Sequence, residues 1–436
     1  MLTVAAIAAS EGRVCETVDI GGAFLNANMK STGVIVHVRL NKLMSMLLCQ
    51  IDSSYEQFVE ADGTMLVQLD AALYGCVEAA ALWYADLKGT LISDGYVMNP
   101  YDPCVFNKTS AEGVQTTIAV HVDDLLITSV SQADIDSVKL CLKNKYHEIT
   151  VKTGKVLDYV GMTFNFRSAG KAKVTMDNSV NEILRDCGVT TARATPAALC
   201  LFDVRDTTKA TPEEAEWFHS YTCKVLYVAK RVKPECLVTV AFLSTRVHEC
   251  DIDDLAKLRR LLGYILGTRD RGIVLEIGEH MEVKVYIDAA YGVHQTSGKS
   301  HTGCAIIIGK AGPIFAKSSK QKIVTKSSTE AELVALSDFA SQAIHVRNFV
   351  QAQGYELGPV VIYQDNMSCM ALMKRGGPSS ERSRHINIRH FWVAERVGDK
   401  EVLIEHLGTK KMFANVLTKP VQGMQFEQER LGLTNW

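Results

Sequence analysis

The sequence has 436 residues, of which 47% are hydrophobic and 22% charged, and its formal net charge is -2. This length allows two or three domains, each with its own hydrophobic core. A nucleic-acid-binding protein is usually basic, so the charge counts against that class. The apolar start lacks the basic flank of a signal peptide, and no apolar run approaches the roughly 20 residues of a membrane span. The 12 cysteines show no C-x-x-C pair, which favours free thiols in a reducing, intracellular compartment.

The first candidate functional residue is Asp19, which ends a predicted strand. Thr17 and Val18 favour extended backbone there, and two glycines that follow allow a tight turn. An aspartate before glycines is commonly a cap or turn residue. An aspartate at a strand end is also what two-metal nucleotidyl transfer requires, provided that further carboxylates arrive from a distant segment. Phe24 would then pack beneath an incoming sugar.

The next predicted elements connect Asp19 to a second acidic stretch. The pattern indicates a strand at Val34–Leu40, a short helix at Lys42–Cys49 and a strand at Val67–Leu69. An amphipathic helix is predicted over Val77–Ile92, in which Trp83 is expected to be a core residue and not a ligand contact.

Two adjacent carboxylates, Asp123 and Asp124, lie in the stretch Ile118–Thr128. Apolar residues run up to the pair and away from it, which predicts two short strands with an acidic tip. The tip lacks the Asn-Gly or Asp-Gly dipeptide of common hairpins, so turn chemistry alone does not account for the acids. Adjacent like charges repel, and a divalent cation is the usual remedy. A solvated turn and a metal site both remain open.

The middle of the chain changes from strands to helices. A helix over residues 132–146 and a strand over Val156–Phe166 are predicted, and residues 167–275 are expected to be mainly helical. One helix opens at Thr211 with acids in its first turn. Another covers Asp251–Gly267, with aliphatic residues on one stripe and arginines on the other.

The last third of the sequence carries a second set of acids. Alternation over Glu282–Asp288 predicts a strand with an aspartate at its end. Two further strands are predicted at His301–Gly309 and Pro313–Ala316. A strand over Val360–Tyr363 then ends shortly before Asp365.

Glu332 is the remaining acid of this set, and it has two interpretations. The stretch Ser327-Ser328-Thr329 is expected to cap a long helix, and Glu332 lies three residues after the threonine. That spacing would complete a capping box. Alternatively, Glu332 belongs with Asp288 and Asp365 to a set of acids in the order Asp, Glu, Asp, each at the edge of a strand or helix.

Two groups of motifs resemble one known family. VDIGGAFLN, LYGCVEAAALWYADL and HVDDLLIT resemble the reverse transcriptase motifs of copia-type LTR retrotransposon Pol polyproteins. KSSTEAELVALSD and YQDNMSCMAL resemble the ribonuclease H motifs that these elements carry after their polymerase. The resemblance extends from residue 1 to about residue 425.

The resemblance implies two catalytic sites, each with two Mg²⁺ ions. The metal-binding carboxylates would be Asp19, Asp123 and Asp124 in the polymerase and Asp288, Glu332 and Asp365 in the ribonuclease H. Phe24 would be the gate against a ribose 2′-OH, and Glu78 would occupy a substrate-binding position where the family has Gln. The implied partners are an RNA template, a DNA primer, an RNA/DNA hybrid and dNTPs, with no membrane.

The implied fold is α/β (α+β), with a right-hand polymerase palm and thumb that lack most of the fingers. A ribonuclease H-like domain with a mixed β-sheet follows. The expected boundaries are 1–166 for the palm, 167–278 for a helical thumb or tether, 279–420 for the ribonuclease H-like domain and 421–436 for a C-terminal tail. Val156–Phe166 resembles the segment that grips the primer end, and an ordinary sheet strand fits it equally well.

The sequence also departs from the family pattern. Asn415 stands in FANVLTKP where the family has a fourth acid, and Asn387 stands in HINIR where the family has Asp. A carboxylate at Glu78 would face a triphosphate unfavourably. His121 replaces a tyrosine, and the chain begins just before the first acidic motif, without the basic fingers. These departures predict a truncated, impaired enzyme or an inactive remnant that at most binds nucleic acid.

Basic residues supply the candidate nucleic-acid contacts. By the resemblance, phosphates would be contacted by Arg231, Lys233, Arg259 and Arg260. Two basic runs, Lys317–Lys326 and Lys374–Arg389, would follow a hybrid duplex or form ordinary solvated surface.

Overall fold

The structure is a computed structural model that describes residues 1–29, 33, 35–205, 207–374 and 392–436. The chain forms two compact units. The small unit consists of Glu16–Met98 and Pro103–Lys152, and the large unit consists of Met1–Cys15, Asn99–Asp102 and Thr153–Trp436. The fold is mixed α/β. The expected four-part division of the chain stays a prediction.

The helices of the described chain are spread over both units. They are α1 (Leu2–Ser10), α2 (Lys42–Ile51), α3 (Ala79–Ser93), α4 (Gln132–Tyr146), α5 (Asp177–Asp186), α6 (Pro212–Ala229), α7 (Leu237–Ser244), α8 (Ile252–Gly267), α9 (Ser328–Ala352), α10 (Met367–Lys374), α11 (392–398) and α12 (Gly423–Thr434). Short 3₁₀ turns cover Ala23–Asn26, Ser53–Phe58, Pro234–Cys236, Thr409–Lys411 and Phe413–Leu417.

The strands form four sheets. They are β1 (Val14–Ile20), β2 (His37–Leu40), β3 (Met65–Gln68), β4 (Val97–Asn99), β5 (Asp102–Thr109), β6 (Gln115–His121), β7 (Asp124–Ser129), β8 (Ile149–Thr153), β9 (Val156–Tyr159), β10 (Met162–Asn165), β11 (Lys171–Thr175), β12 (Ile273–Glu276), β13 (Val283–His294), β14 (Lys299–Ile308), β15 (Pro313–Lys320), β16 (Val360–Gln364) and β17 (Val402–His406).

The small unit is built on a six-stranded sheet in the order β4-β5-β6-β7-β1-β8. The predicted hairpin around the acidic tip is present, because β6 and β7 pair antiparallel with His121 opposite Asp124. Leu125, Leu126 and Ile127 are all at most 1% exposed, so the whole of β7 behind the tip is core. The tip is therefore held by a buried strand pair.

The large unit contains a four-stranded sheet in the order β12-β11-β10-β9. The predicted single strand Val156–Phe166 is wrong, because the segment folds back on itself as β9 and β10. Val160 and Gly161 form the turn with φ values of 51° and 74°. Side-chain alternation continues on both sides of this two-residue turn, so the pattern hid the reversal. The expectation of mainly helical structure over 167–275 also missed β11 and β12.

Helices α5 to α8 complete the middle of the large unit. Thr211 caps α6 in a capping box with Glu214, and Asp251 caps α8 in the same way with Asp254. The predicted apolar stripe of α8 is buried, with each of its members at most 1% exposed: Leu255, Leu258, Leu261, Leu262 and Ile265. Burial of this stripe, more than helix propensity, stabilises α8.

The large unit also contains a five-stranded mixed sheet in the order β15-β14-β13-β16-β17. The first three strands pair antiparallel, and β13, β16 and β17 pair parallel. Helix α9 makes the crossover between β15 and β16. Asp288 lies inside β13 and not at its end as predicted, because the strand continues to His294 through further pairs with β14.

Two general expectations can be compared with the structure. None of the 12 cysteines forms a disulfide. In the described part of the chain, no helix combines the length and the apolar character that crossing a bilayer would require.

Candidate active sites

Three carboxylates from different elements meet in the large unit. One oxygen each of Asp288, Glu332 and Asp365 lies within 4.8 Å of the other two. Asp288 comes from β13, Glu332 from the start of α9 and Asp365 from the residue after β16. The parallel pairing of β13 with β16 and the packing of α9 against β13 bring them together. We call these three residues the acid cluster.

Glu332 is the most strongly perturbed member of the acid cluster. It is 4% exposed and accepts hydrogen bonds from Ala289 N at 3.2 Å and from Gln364 Nε2 at 3.3 Å. Burial raises the pKa of Glu332 to about 9, and the charges of Asp288 and Asp365 add to the rise. Without a cation, this carboxyl group therefore holds a proton at neutral pH.

The alternative that Glu332 completes a capping box is wrong. Ser327 is the N-cap of α9, and its side chain accepts from Glu330 N at 3.2 Å. The Glu330 carboxylate accepts a hydrogen bond from Lys326 N at 2.8 Å. The helix begins two residues earlier than the spacing from Thr329 implied, so Glu332 faces the sheet.

Asp288 is 1% exposed, and each of its carboxylate oxygens accepts a hydrogen bond. The Thr418 hydroxyl donates to Oδ2, and the Lys419 ammonium donates to Oδ1 at 3.0 Å. A buried carboxylate is stable only with such partners. Lys419 thus supplies positive charge to the acid cluster, which sequence reasoning missed although the residue lies in the quoted stretch FANVLTKP.

Asp365 is oriented by its neighbours. Gln364 is completely buried, and its Oε1 accepts from Asp365 N at 2.8 Å and from Asn366 N at 3.0 Å. Thr409 Oγ1 donates to Asp365 Oδ2 at 2.9 Å. Because Gln364 also donates to Glu332, one amide connects two of the acids. The sequence offered no signal for Gln364 beyond its position before Asp365.

Asn415, the expected departure from a fourth acid, is buried beside this cluster. Its Nδ2 donates to Met412 O at 2.6 Å and to Glu429 Oε1 at 3.3 Å, and its Oδ1 accepts from Lys419 Nζ at 2.8 Å. Glu429 is 3% exposed, and burial raises its pKa. The carboxylate of Glu429, on α12, therefore contacts Asn415, where the resemblance implies an acid. No motif in the sequence pointed to Glu429.

The small unit carries the other predicted acids. Asp19 lies near the end of β1, Asp123 at the β6–β7 tip and Asp124 at the start of β7. Ile20 N donates to Asp123 O at 3.1 Å, which places the two segments side by side. Burial raises the pKa of Asp124, and the charges of Asp123 and Asp19 contribute. In the described chain, the carboxylate oxygens of these three residues do not all come within 4.8 Å of one another, as those of the acid cluster do.

The turn at the acidic tip is strained and anchored. Val122 has a φ of 58°, a left-handed conformation that a β-branched residue rarely adopts. Trp83 Nε1 donates to Val122 O at 2.6 Å, and the indole is 1% exposed. Trp83 is thus a core residue as predicted, and it also holds the peptide that precedes Asp123.

Phe24 and Glu78 complete the predicted residues of the small unit. Phe24 follows Gly22, whose φ of 60° makes the tight turn expected there. The Phe24 ring packs on Tyr74 with centroids 4.5 Å apart, and burial together with the nearby Asp123 carboxylate raises the pKa of Tyr74. Sequence reasoning missed Tyr74. Glu78 is the N-cap residue of α3, and its side chain forms no capping hydrogen bond.

The predicted phosphate contacts have different outcomes. The prediction that Lys233 contacts phosphate is wrong, because its side chain is 1% exposed. It donates to the carbonyls of Thr268 at 2.6 Å and Arg271 at 3.0 Å. Arg231 stacks over the Tyr227 ring at 3.8 Å. Arg259 and Arg260 both line a cavity beside α8.

Some predictions fall outside the described residues. These are Asn387 and the basic run Lys374–Arg389 beyond its first residue.

Comparisons with known proteins agree with the motifs. Residues 1–199 match the family described as "Reverse transcriptase (RNA-dependent DNA polymerase)". The chain is 24% identical over 433 residues to the retrovirus-related Pol polyprotein from transposon TNT 1-94 of Nicotiana tabacum, which covers 98% of this chain and 31% of that protein. It is 27% identical over 387 residues to the Pol polyprotein from transposon RE1 of Arabidopsis thaliana, covering 86% and 26%. The chain thus spans about a third or less of the length of these relatives.

Solved structures of ribonucleases H are also similar to part of the chain. LC11-RNase H1, isolated from compost by a metagenomic approach, covers 32% of this chain and 94% of that chain, at 15% identity and a TM-score of 0.25. The crystal structure of LC11-RNase H1 in complex with an RNA/DNA hybrid covers 30% and 88%, at 14% identity and a TM-score of 0.23. The sequence relatives confirm the resemblance inferred from the motifs: this chain is similar to retrotransposon Pol polyproteins over most of its length, and its residues 1–199 match the reverse transcriptase family.

Proposed function

We propose that the large unit contains a metal-dependent ribonuclease H centre that cleaves the RNA strand of an RNA/DNA hybrid. The observation that carries this proposal is the acid cluster, in which Asp288, Glu332 and Asp365 converge within 4.8 Å. The five-stranded mixed sheet, with three antiparallel strands followed by two parallel ones, supports the domain assignment of residues 279–420.

The residues of the acid cluster fit a divalent metal site. All three offer carboxylate oxygens, the ligands that Mg²⁺ prefers. Burial and mutual repulsion raise the pKa of Glu332 to about 9, so a cation that entered would release a proton and relieve the repulsion. When bound, a pair of such ions would supply a polarised water and stabilise the leaving oxygen.

Other residues would position the acids for this role. Gln364 orients Asp365 and Glu332 together, and Thr418 orients Asp288. Lys419 donates to Asp288 and Asn415 on the side where the family has a fourth acid. Its ammonium would balance part of the negative charge and reduce the need for a second cation.

Cleavage of a labelled RNA/DNA hybrid tests the ribonuclease proposal. The chain should cut the RNA strand with Mg²⁺ and not with EDTA, and Asp365→Asn should abolish the cleavage. Asp399→Asn is a matched control, because its side chain is 55% exposed and lies outside the acid cluster. Cleavage that survives Asp365→Asn would show that the acid cluster is not the active site.

We further propose that the small unit is the palm of an RNA-directed DNA polymerase, with residues 167–278 as its thumb or tether. The match of residues 1–199 to the reverse transcriptase family supports this assignment. Asp19, Asp123 and Asp124 would hold two metal ions, and Phe24 with Tyr74 would contact the incoming dNTP. Primer extension on poly(rA)/oligo(dT) with Mg²⁺ tests the proposal, and incorporation unchanged by Asp123→Asn would contradict it.

A second candidate is a folded relative that binds nucleic acid without turnover. It is favoured by Asn415, which brings no charge where the family has an acid, and by Lys419, which already engages Asp288. It predicts hybrid binding that Asp365→Ala leaves unchanged, with no cleavage. Mg²⁺-dependent cleavage of the RNA strand would rule it out.

A further inference from the structure

A cavity of about 570 Å³ lies in the large unit, away from the residues of both acidic sites. Its walls are the segment 188–201, Thr239 of α7 and one face of α8 from Asp253 to Arg260. A volume of this size is typical of pockets that bind small molecules. Because none of its lining residues belongs to the acid cluster, its role is independent of the proposed nuclease.

The lining of the cavity is basic. Its charged side chains are Arg193, Asp253, Lys257, Arg259 and Arg260. Asp253 pairs with Lys257 at 2.9 Å, which neutralises one cation. Within the described part of the chain, none of the three arginines forms an ion pair with a carboxylate. The cavity therefore presents three uncompensated guanidinium groups.

Two polar groups in the lining lack partners. Arg260 Nη2 donates to Thr195 Oγ1 at 2.7 Å, but Arg260 Nε is buried and has no acceptor in the described chain. Thr239 is completely buried, and its hydroxyl has no partner there either. Thr195 takes only one of the five donors of the Arg260 guanidinium, so this half-buried side chain keeps unused hydrogen-bonding capacity beside the cavity.

The backbone is shaped to hold Arg193 beside Arg260. A Cβ at Gly263 would lie 2.7 Å from Thr191 O and 2.9 Å from Arg193 Cγ, so only glycine lets this segment rest directly on α8. Arg193 N donates to Gly263 O at 3.0 Å. The proximity of Arg193 contributes to a lowered pKa of Arg260, after burial. Like charges held together in this way favour a bound anion.

We propose that this cavity binds the terminal phosphate of a nucleotide, either as a free mononucleotide or at the 5′ end of a nucleic-acid strand. Guanidinium groups match phosphate oxygens in a bidentate geometry, and Arg193, Arg259 and Arg260 offer several donors to one phosphate. The remaining volume accommodates a sugar and base.

Binding is measured in EDTA, so that neither acidic site can bind a nucleotide through a metal ion. The probes are inorganic phosphate, dAMP, and a dodecanucleotide with a 5′-phosphate or a 5′-hydroxyl, each titrated by calorimetry. Trp217 gives a second signal, because its ring lies 5.4 Å from the Arg259 guanidinium. Fluorescence should change on addition of dAMP.

The expected result is saturable binding of dAMP that Arg193→Gln weakens about tenfold, as the loss of one charge-assisted hydrogen bond predicts. Arg193 is exposed, so this variant should fold, and its melting curve verifies that. Arg269→Gln is the control, because Arg269 is an exposed arginine of the same unit outside the cavity lining. It should leave binding unchanged.

The oligonucleotide pair distinguishes the two sources of the phosphate. Binding of dAMP alone would identify a free nucleotide, and preference for the 5′-phosphorylated strand over the 5′-hydroxyl strand would identify a strand end. Failure of dAMP and of both strands to bind would overturn the proposal. Equal, measurable binding of the two strands by a chain that does not bind dAMP, or equal loss in Arg193→Gln and Arg269→Gln, would overturn it as well. None of these outcomes depends on hybrid cleavage.

Discussion

Replacing Glu332 by glutamine should make the metal-free protein more stable at neutral pH. The carboxyl group is 4% exposed and shares its site with Asp288 and Asp365. Its pKa rises to about 9 in the folded chain, because burial and the two neighbouring charges disfavour ionisation. The glutamine side chain resembles the protonated form in shape and carries no charge at any pH.

The magnitude follows from proton linkage. Between the ordinary pKa of 4.5 and a folded pKa of about 9, the folded chain binds a proton that the unfolded chain has released. The contribution of Glu332 to the free energy of unfolding is therefore fully present below pH 4.5 and is lost progressively as the pH rises toward 9. At about 1.4 kcal/mol per pH unit, the interval from 4.5 to pH 7 corresponds to a loss of about 3 kcal/mol.

Glutamine should recover most of this loss. Its Oε1 can still accept from Ala289 N, but its amide group meets the Nε2 donor of Gln364, and that hydrogen bond is lost. Losing it costs about 1 kcal/mol. The net expectation is that Glu332→Gln stabilises the metal-free protein by about 2 kcal/mol at pH 7.

Urea denaturation in EDTA at pH 5, 7 and 8.5, followed by circular dichroism, measures the effect. The advantage of Glu332→Gln should grow with pH, while the exposed acid Glu356, changed to Gln, should show no such trend. Mg²⁺ should stabilise the wild type more than the Glu332→Gln variant. A wild type that equals or exceeds the variant in EDTA at pH 7 would refute the reasoning.

Three further changes test other contacts. Trp83→Phe should lower the free energy of unfolding by about 1–3 kcal/mol in urea denaturation, because Val122 O loses its donor; no change would show that the contact is dispensable. Lys419→Met should tighten Mg²⁺ binding about threefold to tenfold by calorimetry, because the ammonium competes for Asp288; weaker binding would contradict this. Lys233→Met should cost about 3 kcal/mol in thermal denaturation, because three hydrogen bonds of a buried ammonium are lost; an unchanged Tm would contradict it.

Local signals in the sequence predicted many elements well. The helix expected over residues 132–146 is α4, Gln132–Tyr146, because Ser131 caps it and its apolar side chains recur at helical spacing. The acidic tip between β6 and β7 was also predicted. These features depend on residues a few positions apart, so the chain encodes them directly.

The errors arose where local patterns fit two structures. Alternation over Val156–Phe166 is the same for one strand and for two strands joined at Val160-Gly161. The local sequence predicts Lys233 on the surface, yet Lys233 is buried, and carbonyls from a segment about 35 residues away accept its hydrogen bonds. Only contacts between distant residues distinguish these alternatives.

The sequence alone determined which acids the chain contains, their order and the elements that carry them. Tertiary structure decided which of them meet. Asp288, Glu332 and Asp365 converge because β13 pairs in parallel with β16 and α9 packs against β13, whereas Asp19, Asp123 and Asp124 do not approach as closely in the described chain. It also placed Lys419 and Glu429 beside Asn415. Periodicity reports only whether a residue is buried, whereas distances between remote carboxylates depend on the order in which strands pair.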